Sequence, residues 1–161
     1  MIEATLCFVV RAGEVLLIEK RRGLGDGLFN GPGGKLEPGE TARACAIRET
    51  REEVGIDVSG RPLERVGDLT FRLDGTAHTR CHVFRTDWFA GRPRPSDEAR
   101  PVWVPIDDVP YDRMWADDRH WLPGVVEGRT VRGAFDFVGG EPLDDAEFVD
   151  YDLEWDVELD R

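Results

Sequence analysis

The sequence predicts a single α+β domain spanning residues 1–161: a mixed β-sheet layered with one central helix and a second helix in the C-terminal half. Three observations carry this. Short apolar runs and period-two alternations outnumber helical stretches. One segment, Thr41 to Gly55, has helical spacing with a start and a stop signal. No internal repeat, low-complexity tract or Pro/Ser-rich linker divides the chain. With 161 residues, 40% hydrophobic, five Trp and eight Phe, the chain is expected to bury about two-thirds of its unfolded surface without disulfides or structural zinc.

Thr5–Val10 and Glu14–Lys20 are apolar runs joined by Arg11-Ala12-Gly13, and they read as a hairpin of strands buried on both faces. Residues 21–39 hold seven glycines, among them Gly23, Gly25, Gly33 and Gly34, and two prolines. This is too glycine-rich for a regular element and too long for an idle connection, so a functional loop is expected. Thr41 caps a helix to about Val54, with Gly55 at the left-handed C-terminal position. At helical spacing Ala42, Cys45, Ala46, Glu49, Glu52 and Glu53 form one stripe, with the carboxylates on an exposed face. Ile47, Thr50 and Val54 form another stripe, for packing. Leu69, Phe71 and Leu73 alternate with Asp68, Thr70 and Arg72, and Asp74-Gly75 turns this strand into an antiparallel partner, Thr76–Thr86. Arg100–Pro105 is a further short strand. Asp117 or Asp118 caps a short helix to about Glu127 that Pro123 and Gly124 could interrupt. The final segment alternates Tyr151, Leu153, Trp155, Val157 and Leu159 with acidic residues, as a strand with one wet, acidic face.

The formal charge is −12, and residues 133–160 hold 11 Asp or Glu with no Lys or Arg. An acidic C-terminal segment repels phosphate, so polymeric DNA or RNA is disfavoured as a partner. No apolar run approaches the roughly 18 residues that span a bilayer. The N-terminus lacks a basic, then apolar, leader, and three well-separated cysteines (Cys7, Cys45, Cys81) suit a reducing cytoplasm. Cys7 and Cys45 read as core residues, and His78, His82 and His120 as structural. The charge, with 19 Arg against 2 Lys, fits a salt-adapted protein; the competing reading is an acidic edge strand that discourages strand pairing.

The pattern with most chemical content is Gly34, Glu40, Arg48-Glu49, Glu52-Glu53 and Gly55-Ile56. Positions 49, 52 and 53 are related by i, i+3 and i+4, so three carboxylates share one helix face. Unpaired anions at that spacing repel, and the arrangement becomes favourable around a divalent cation. Oxygen ligands without nearby Cys or His favour Mg²⁺ or Mn²⁺ over Zn²⁺, and Mg²⁺ commonly accompanies substrate phosphates. The alternative is a solvated face neutralised by Arg48 and Arg51.

Residues Gly34 to Ile56 resemble the Nudix box, matching at every fixed glycine and charged position; Thr50 departs where the family usually has an aliphatic residue, on the packing stripe. The resemblance extends to the MutT-homologue branch that hydrolyses oxidised purine nucleoside triphosphates, through Leu28-Phe29-Asn30-Gly31-Pro32-Gly33-Gly34-Lys35 and Met114-Trp115-Ala116-Asp117-Asp118. It implies the Nudix αβα sandwich, with Mg²⁺ (or Mn²⁺) as cofactor. The implied metal set is the Gly33 carbonyl, Glu49, Glu52, Glu53 and, from a separate loop, Glu98. Glu53 is the implied proton acceptor, with Glu52 and Glu98 as the other candidates. Arg48 would orient a glutamate or hold phosphate, and Lys20 and Lys35 would contact phosphates. The implied partner is a small nucleotide bound by a cytoplasmic monomer. Other Nudix specificities, for ADP-ribose or dinucleoside polyphosphates, often show Pro or Tyr beyond the box, where this chain has Phe71 to Asp74; non-hydrolytic Nudix modules typically lose box glutamates, all of which are present here.

An oxidised guanine presents O6 as acceptor and N1-H, N2-H and N7-H as donors. Asn30 offers both kinds of partner, and adjacent Asp117 and Asp118 can share a proton so that one donates while the other accepts. Trp115 supplies an aromatic face and Phe71 an apolar wall.

Overall fold

The computed structural model describes residues 1–21, 27–140 and 145–160. The chain runs β1 (Ile2–Arg11), β2 (Glu14–Lys20), β3 (Phe29–Asn30), β4 (Gly33–Lys35), α1 (Ala42–Val54), β5 (Glu64–Leu73), β6 (Thr76–Thr86), β7 (Ala99–Pro105), a 3-10 turn at Tyr111–Arg113, α2 (Asp118–Val126), β8 (Val131–Val138) and β9 (Glu147–Trp155). The strands form one mixed sheet in the order β3-β2-β1-β6-β5-β8-β9, with β4 paired to β1 and β7 to β2; β1–β6 and β5–β8 are parallel. No helix among the described residues is long and apolar enough to cross a membrane.

Alternation along β1 and β2 explains the layering. Phe8, Val15 and Leu17 enter a core with Trp121, Leu122 and Val125 of α2, whereas Cys7, Val9, Leu16 and Ile18 enter a second core with Ala46 and Val54 of α1. Each strand is therefore buried on both faces, and a helix covers each side. The β5–β6 hairpin turns on Asp74 (φ 51) and Gly75 (φ 83), both left-handed as a two-residue turn requires. Helix α1 starts where Thr41 Oγ1 accepts the Ala44 N–H (3.1 Å) and stops at Gly55 (φ 76). Its Thr50 is fully buried and donates its hydroxyl to the Ala46 carbonyl (2.7 Å), so the unusual hydroxyl is satisfied within the helix.

Several expectations are corrected. The segment expected as one irregular loop contains β3 and β4, because Gly33–Lys35 pairs with Ala4–Leu6. A Cβ on Gly33 would overlap the Thr5 carbonyl oxygen, so only glycine permits this approach. The part of that loop carrying Gly23 and Gly25 lies outside the described residues. The two stripes of α1 are not separate: Glu53, expected on an exposed face, is only 8% exposed and buried together with Cys45, Ala46, Thr50 and Val54, since α1 lies against both β1 and β4. Helix α2 runs through Pro123, and Gly124 serves close packing instead of a break, because a Cβ there would overlap the Trp155 ring. Strand β8 is an element that the sequence expectation lacks. β9 ends at Trp155 because Asp156 turns left-handed (φ 59) and its N–H bonds the Thr130 carbonyl, leaving Val157 and Leu159 beyond the strand. As the sheet edge it keeps an open acidic face, with Asp150, Asp152 and Glu154 exposed, while Phe148, Leu153 and Trp155 pack on the core and Tyr151 is 45% exposed.

Candidate active site

Strand β4 runs beside the C-terminal half of α1, and there the sheet meets the acidic helix. The Gly33 N–H donates to Glu53 Oε1 (3.0 Å), and the Glu49 carboxyl lies so close to Gly34 that a Cβ would stand 2.5 Å from its carboxyl carbon. Arg48 holds the remaining geometry. Its Nε and one terminal nitrogen donate to both oxygens of Glu40 (2.8 Å each), the other donates to Glu49 (2.7 Å) and Glu52 (3.4 Å), and it also reaches the Lys35 carbonyl (3.2 Å). Such a two-pronged bond suits the planar guanidinium and pins the loop before the helix to the helix itself. The Arg48 guanidinium beside Glu40 lowers that carboxyl to about 2 and raises its own affinity for the proton.

The carboxylates expected to be unpaired are thus partnered. Glu49 and Glu52 face Arg48, Glu53 accepts a backbone N–H, and Arg51 bonds Asp57 and none of the box glutamates. Among the described residues no three acidic, His or Cys side chains stand at metal-coordinating spacing. Glu52 is exposed, and Glu98 is exposed on the loop before β7, close enough for its charge to act on Glu53. Burial pushes Glu53 up to about 7, opposed by the Gly33 N–H, reinforced by Glu49 and Glu98, and offset in part by Lys20; burial raises Glu49 as well. Two carboxyls held away from water beside a third charge fit a hard divalent cation, which would relieve the desolvation that raises them.

One cavity of about 350 Å³ joins this acidic end to the base-recognition candidates. Its lining includes Lys20, Asn30, Gly33, Lys35, Glu53, Phe71, Trp115, Asp117 and Asp118, while Arg48, Glu49, Glu52 and Glu98 stand outside it. Asn30 Oδ1 accepts the Gly31 N–H (2.9 Å), so its amide NH₂ is the group left for a ligand. Asp117 occupies the position before α2 but makes no capping bond; its Oδ2 accepts the indole N–H of Trp121 (2.9 Å). The capping role available from sequence is therefore unused. Asp117 and Asp118 are each 4% exposed, and Asp118 Oδ2 has no hydrogen-bond partner. Burial raises both carboxyls, Asp118 well above the usual range because the Asp117 charge adds to desolvation, so of the two Asp118 holds a proton the more tightly.

Sequence reasoning missed Leu73, Thr79, Cys81 and Phe137, which also line the cavity, and His78, expected to be purely structural, lines it too with Nδ1 on the Thr79 hydroxyl (2.7 Å). The Phe135–Phe137 alternation was the one available signal for Phe137. Phe71 stacks on Phe135 (5.4 Å, 19°) and leans on Phe137 (6.3 Å, 38°), which makes the apolar wall. Cys7, Cys45 and Cys81 are free and buried.

Comparison with known proteins agrees with this architecture. The chain is 43% identical over 140 residues to an oxidized purine nucleoside triphosphate hydrolase of Danio rerio (86% of this chain, 88% of the relative) and 38% identical over 134 residues to the mouse protein of that name (83% and 85%). A MutT mutator protein of Bacillus halodurans superposes with a TM-score of 0.81 at 29% identity, covering 96% of this chain and 98% of that one. The NUDIX domain model matches residues 2–125, from the first strand through the second helix, and the chain belongs to the Nudix family.

Proposed function

We propose that this protein is a Mg²⁺-dependent Nudix hydrolase that sanitises the nucleotide pool, cleaving oxidised purine nucleoside triphosphates such as 8-oxo-dGTP to the monophosphate and pyrophosphate. The observation that carries this reading is one cavity lined both by Glu53 and Lys20 and by Asn30, Asp117 and Asp118. The relatives named as oxidized purine nucleoside triphosphate hydrolases support it over most of their length.

At the base end, the Asn30 amide donates to O6, Asp117 accepts from a ring N–H, and the protonated Asp118 completes the set; Trp115 and Phe71 enclose the ring faces. A carboxylate that accepts from N7-H would distinguish the oxidised base from guanine, whose N7 is an acceptor, whereas O6 and N1-H are common to both. At the other end Glu49, Glu53 and the Gly33 carbonyl, with Glu52 and Glu98 turning in from solvent, would hold Mg²⁺ (or Mn²⁺), which supplies neutralisation of the triphosphate charge. Lys20 and Lys35 bind phosphate oxygens, and Arg48 holds Glu49 and Glu52 in orientation. Glu53, which lines the cavity beside Lys20, accepts the proton of the attacking water. The acidic edge strand β9 suits a monomer, and three free, buried cysteines suit a reducing cytoplasm.

A screen of nucleoside triphosphates, ADP-ribose and dinucleoside polyphosphates with pyrophosphate and phosphate detection tests the reading, 8-oxo-dGTP being the expected preferred substrate. A higher kcat/KM for ADP-ribose or a dinucleoside polyphosphate would overturn it. With attack at the β-phosphorus, hydrolysis in ¹⁸O-water labels pyrophosphate; label in the monophosphate assigns attack to the α-phosphorus.

A further inference from the structure

The Asp117–Asp118 turn is held in an unusual way. Asp117 spends its carboxylate on Trp121 and leaves the start of α2 without a side-chain cap, so the turn's position depends on packing. On the inner side Trp121 packs edge-on against Phe8 (5.9 Å, 63°). On the outer side Arg119 makes an exposed pair with Asp112, a contact of little weight, whereas His120 lies flat on Tyr151 of β9 (4.2 Å, 26°) and edge-on to Phe148 (5.3 Å, 81°). The backbone N–H of His120 also bonds the Asp117 carbonyl (2.9 Å), which ties this residue directly to the turn.

The other cavity wall reaches the same point. Phe71 stacks on Phe135, and Phe135 stacks on Tyr151 (6.2 Å, 19°). A continuous series of rings therefore runs from Phe71 inside the cavity, through Phe135 and Tyr151, to His120 on the helix that carries Asp118. The edge strand β9 contributes no residue to the cavity lining, yet it sits where both walls converge.

We propose that the His120–Tyr151 stack is a specificity-determining brace that sets the separation between the Phe71 wall and the Asp117–Asp118 turn, and so positions the cavity for a planar oxidised purine. This rests on the functional reading above. His120 and Tyr151 are positioning residues: neither lines the cavity, and both act through groups that do. Because the rings are partly solvent-exposed, losing the stack leaves the two cores intact and loosens only the turn.

The test uses the full chain with His120→Ala, Tyr151→Leu, the double variant, and His120→Phe, which restores a flat ring. Expected are a rise of about 3- to 10-fold in KM for 8-oxo-dGTP in each single variant, kcat within about twofold, and a matching rise in the Kd of 8-oxo-dGMP by calorimetry. KM for dGTP should change less, the double variant should be no worse than the singles because the rings act as one unit, and His120→Phe should recover the wild-type values. Unchanged KM and Kd, additive losses, or a fall in kcat at constant KM would overturn the brace. Amide hydrogen exchange over residues 117–122 reads the brace without any substrate: exchange should quicken in His120→Ala and Tyr151→Leu and slow again in His120→Phe. Wild-type protein that neither hydrolyses 8-oxo-dGTP nor binds 8-oxo-dGMP refutes the substrate reading, and exchange unaffected by the variants refutes the brace.

Discussion

Replacing Glu53 with Gln separates the function of this carboxyl from its effect on stability, and the two should move in opposite directions. Glu53 is 8% exposed, and burial lifts its pKa from 4.5 to about 7. Below pH 4.5 the folded and unfolded chains both carry the proton, so the group contributes no difference. As pH rises from there to about 7 the unfolded chain releases the proton while the folded chain retains it, and stability falls; above about 7 the loss is complete. A displacement of this size corresponds to about 3 kcal/mol as an upper figure. The glutamine carries no charge to desolvate and keeps an oxygen for the Gly33 N–H. In metal-free buffer Glu53→Gln should match wild type at about pH 4 and melt higher at about pH 8, by at most about 6 to 12 °C given about 2 to 4 °C per kcal/mol for a domain of this size. With saturating Mg²⁺ the same variant should lose activity by about 100-fold or more, because an anionic oxygen and a proton acceptor are both gone. Calorimetric melting from about pH 4 to about pH 8 without metal, and turnover with Mg²⁺, decide the matter. A Glu53→Gln protein no more stable than wild type at the alkaline end would refute the desolvation argument, and near-wild-type turnover would refute the assignment of Glu53 to the reaction.

Three further outcomes are expected. Asn30→Ala and Asp118→Ala should each lower kcat/KM for 8-oxo-dGTP by about 10- to 100-fold and for dGTP by less, since each removes a base-edge hydrogen bond; equal losses on both nucleotides would show that these residues serve folding or phosphate binding. Gly34→Ala should fold normally, because the clashing group is the flexible end of Glu49, yet raise the Mg²⁺ concentration for half-maximal activity about tenfold by displacing that carboxyl; an unchanged metal requirement would remove Glu49 from the site. Raising KCl from about 0.1 M to 1 M shortens the Debye length from about 10 Å to 3 Å, so if the acidic excess destabilises the fold, Tm should climb steadily and activity should persist. A flat curve would leave the acidic residues of β9 with only their edge-protecting role, to which their position on the outermost strand is suited.

Local signals account for much of the architecture. The α1 boundaries were legible because Thr41 and Gly55 are terminus signals that act through a few neighbouring backbone groups, and the β5–β6 hairpin because Asp74-Gly75 meets a stringent turn requirement. The box glutamates, Asn30 and the Asp117–Asp118 pair were legible as a pattern because spacing along a helix and adjacency along the chain survive without tertiary structure. Strands β4 and β8 were not legible. Gly33–Lys35 has no strand propensity of its own and becomes a strand only because β1 offers it a partner, and Val131–Val138 lies in a segment whose glycine and charge mask its alternation until β5 and β9 flank it.

What the sequence by itself determined is the set of chemical groups and their order: oxygen ligands on one helix, a glycine loop before them, and an amide with paired carboxyls for a base. Burial belongs to the tertiary structure alone. Periodicity placed Glu53 on an open face, but whether a helix face is open depends on what packs against it, and β4 closes this one, raising the carboxyl toward neutrality. Likewise Asp117 stands where it could cap α2, yet its carboxylate turns to Trp121, because that indole is buried against Phe8 of β1, remote along the chain, and its N–H needs an acceptor there. Electrostatic and packing energies depend on distances between remote segments, and those distances exist only once the sheet has brought the segments together.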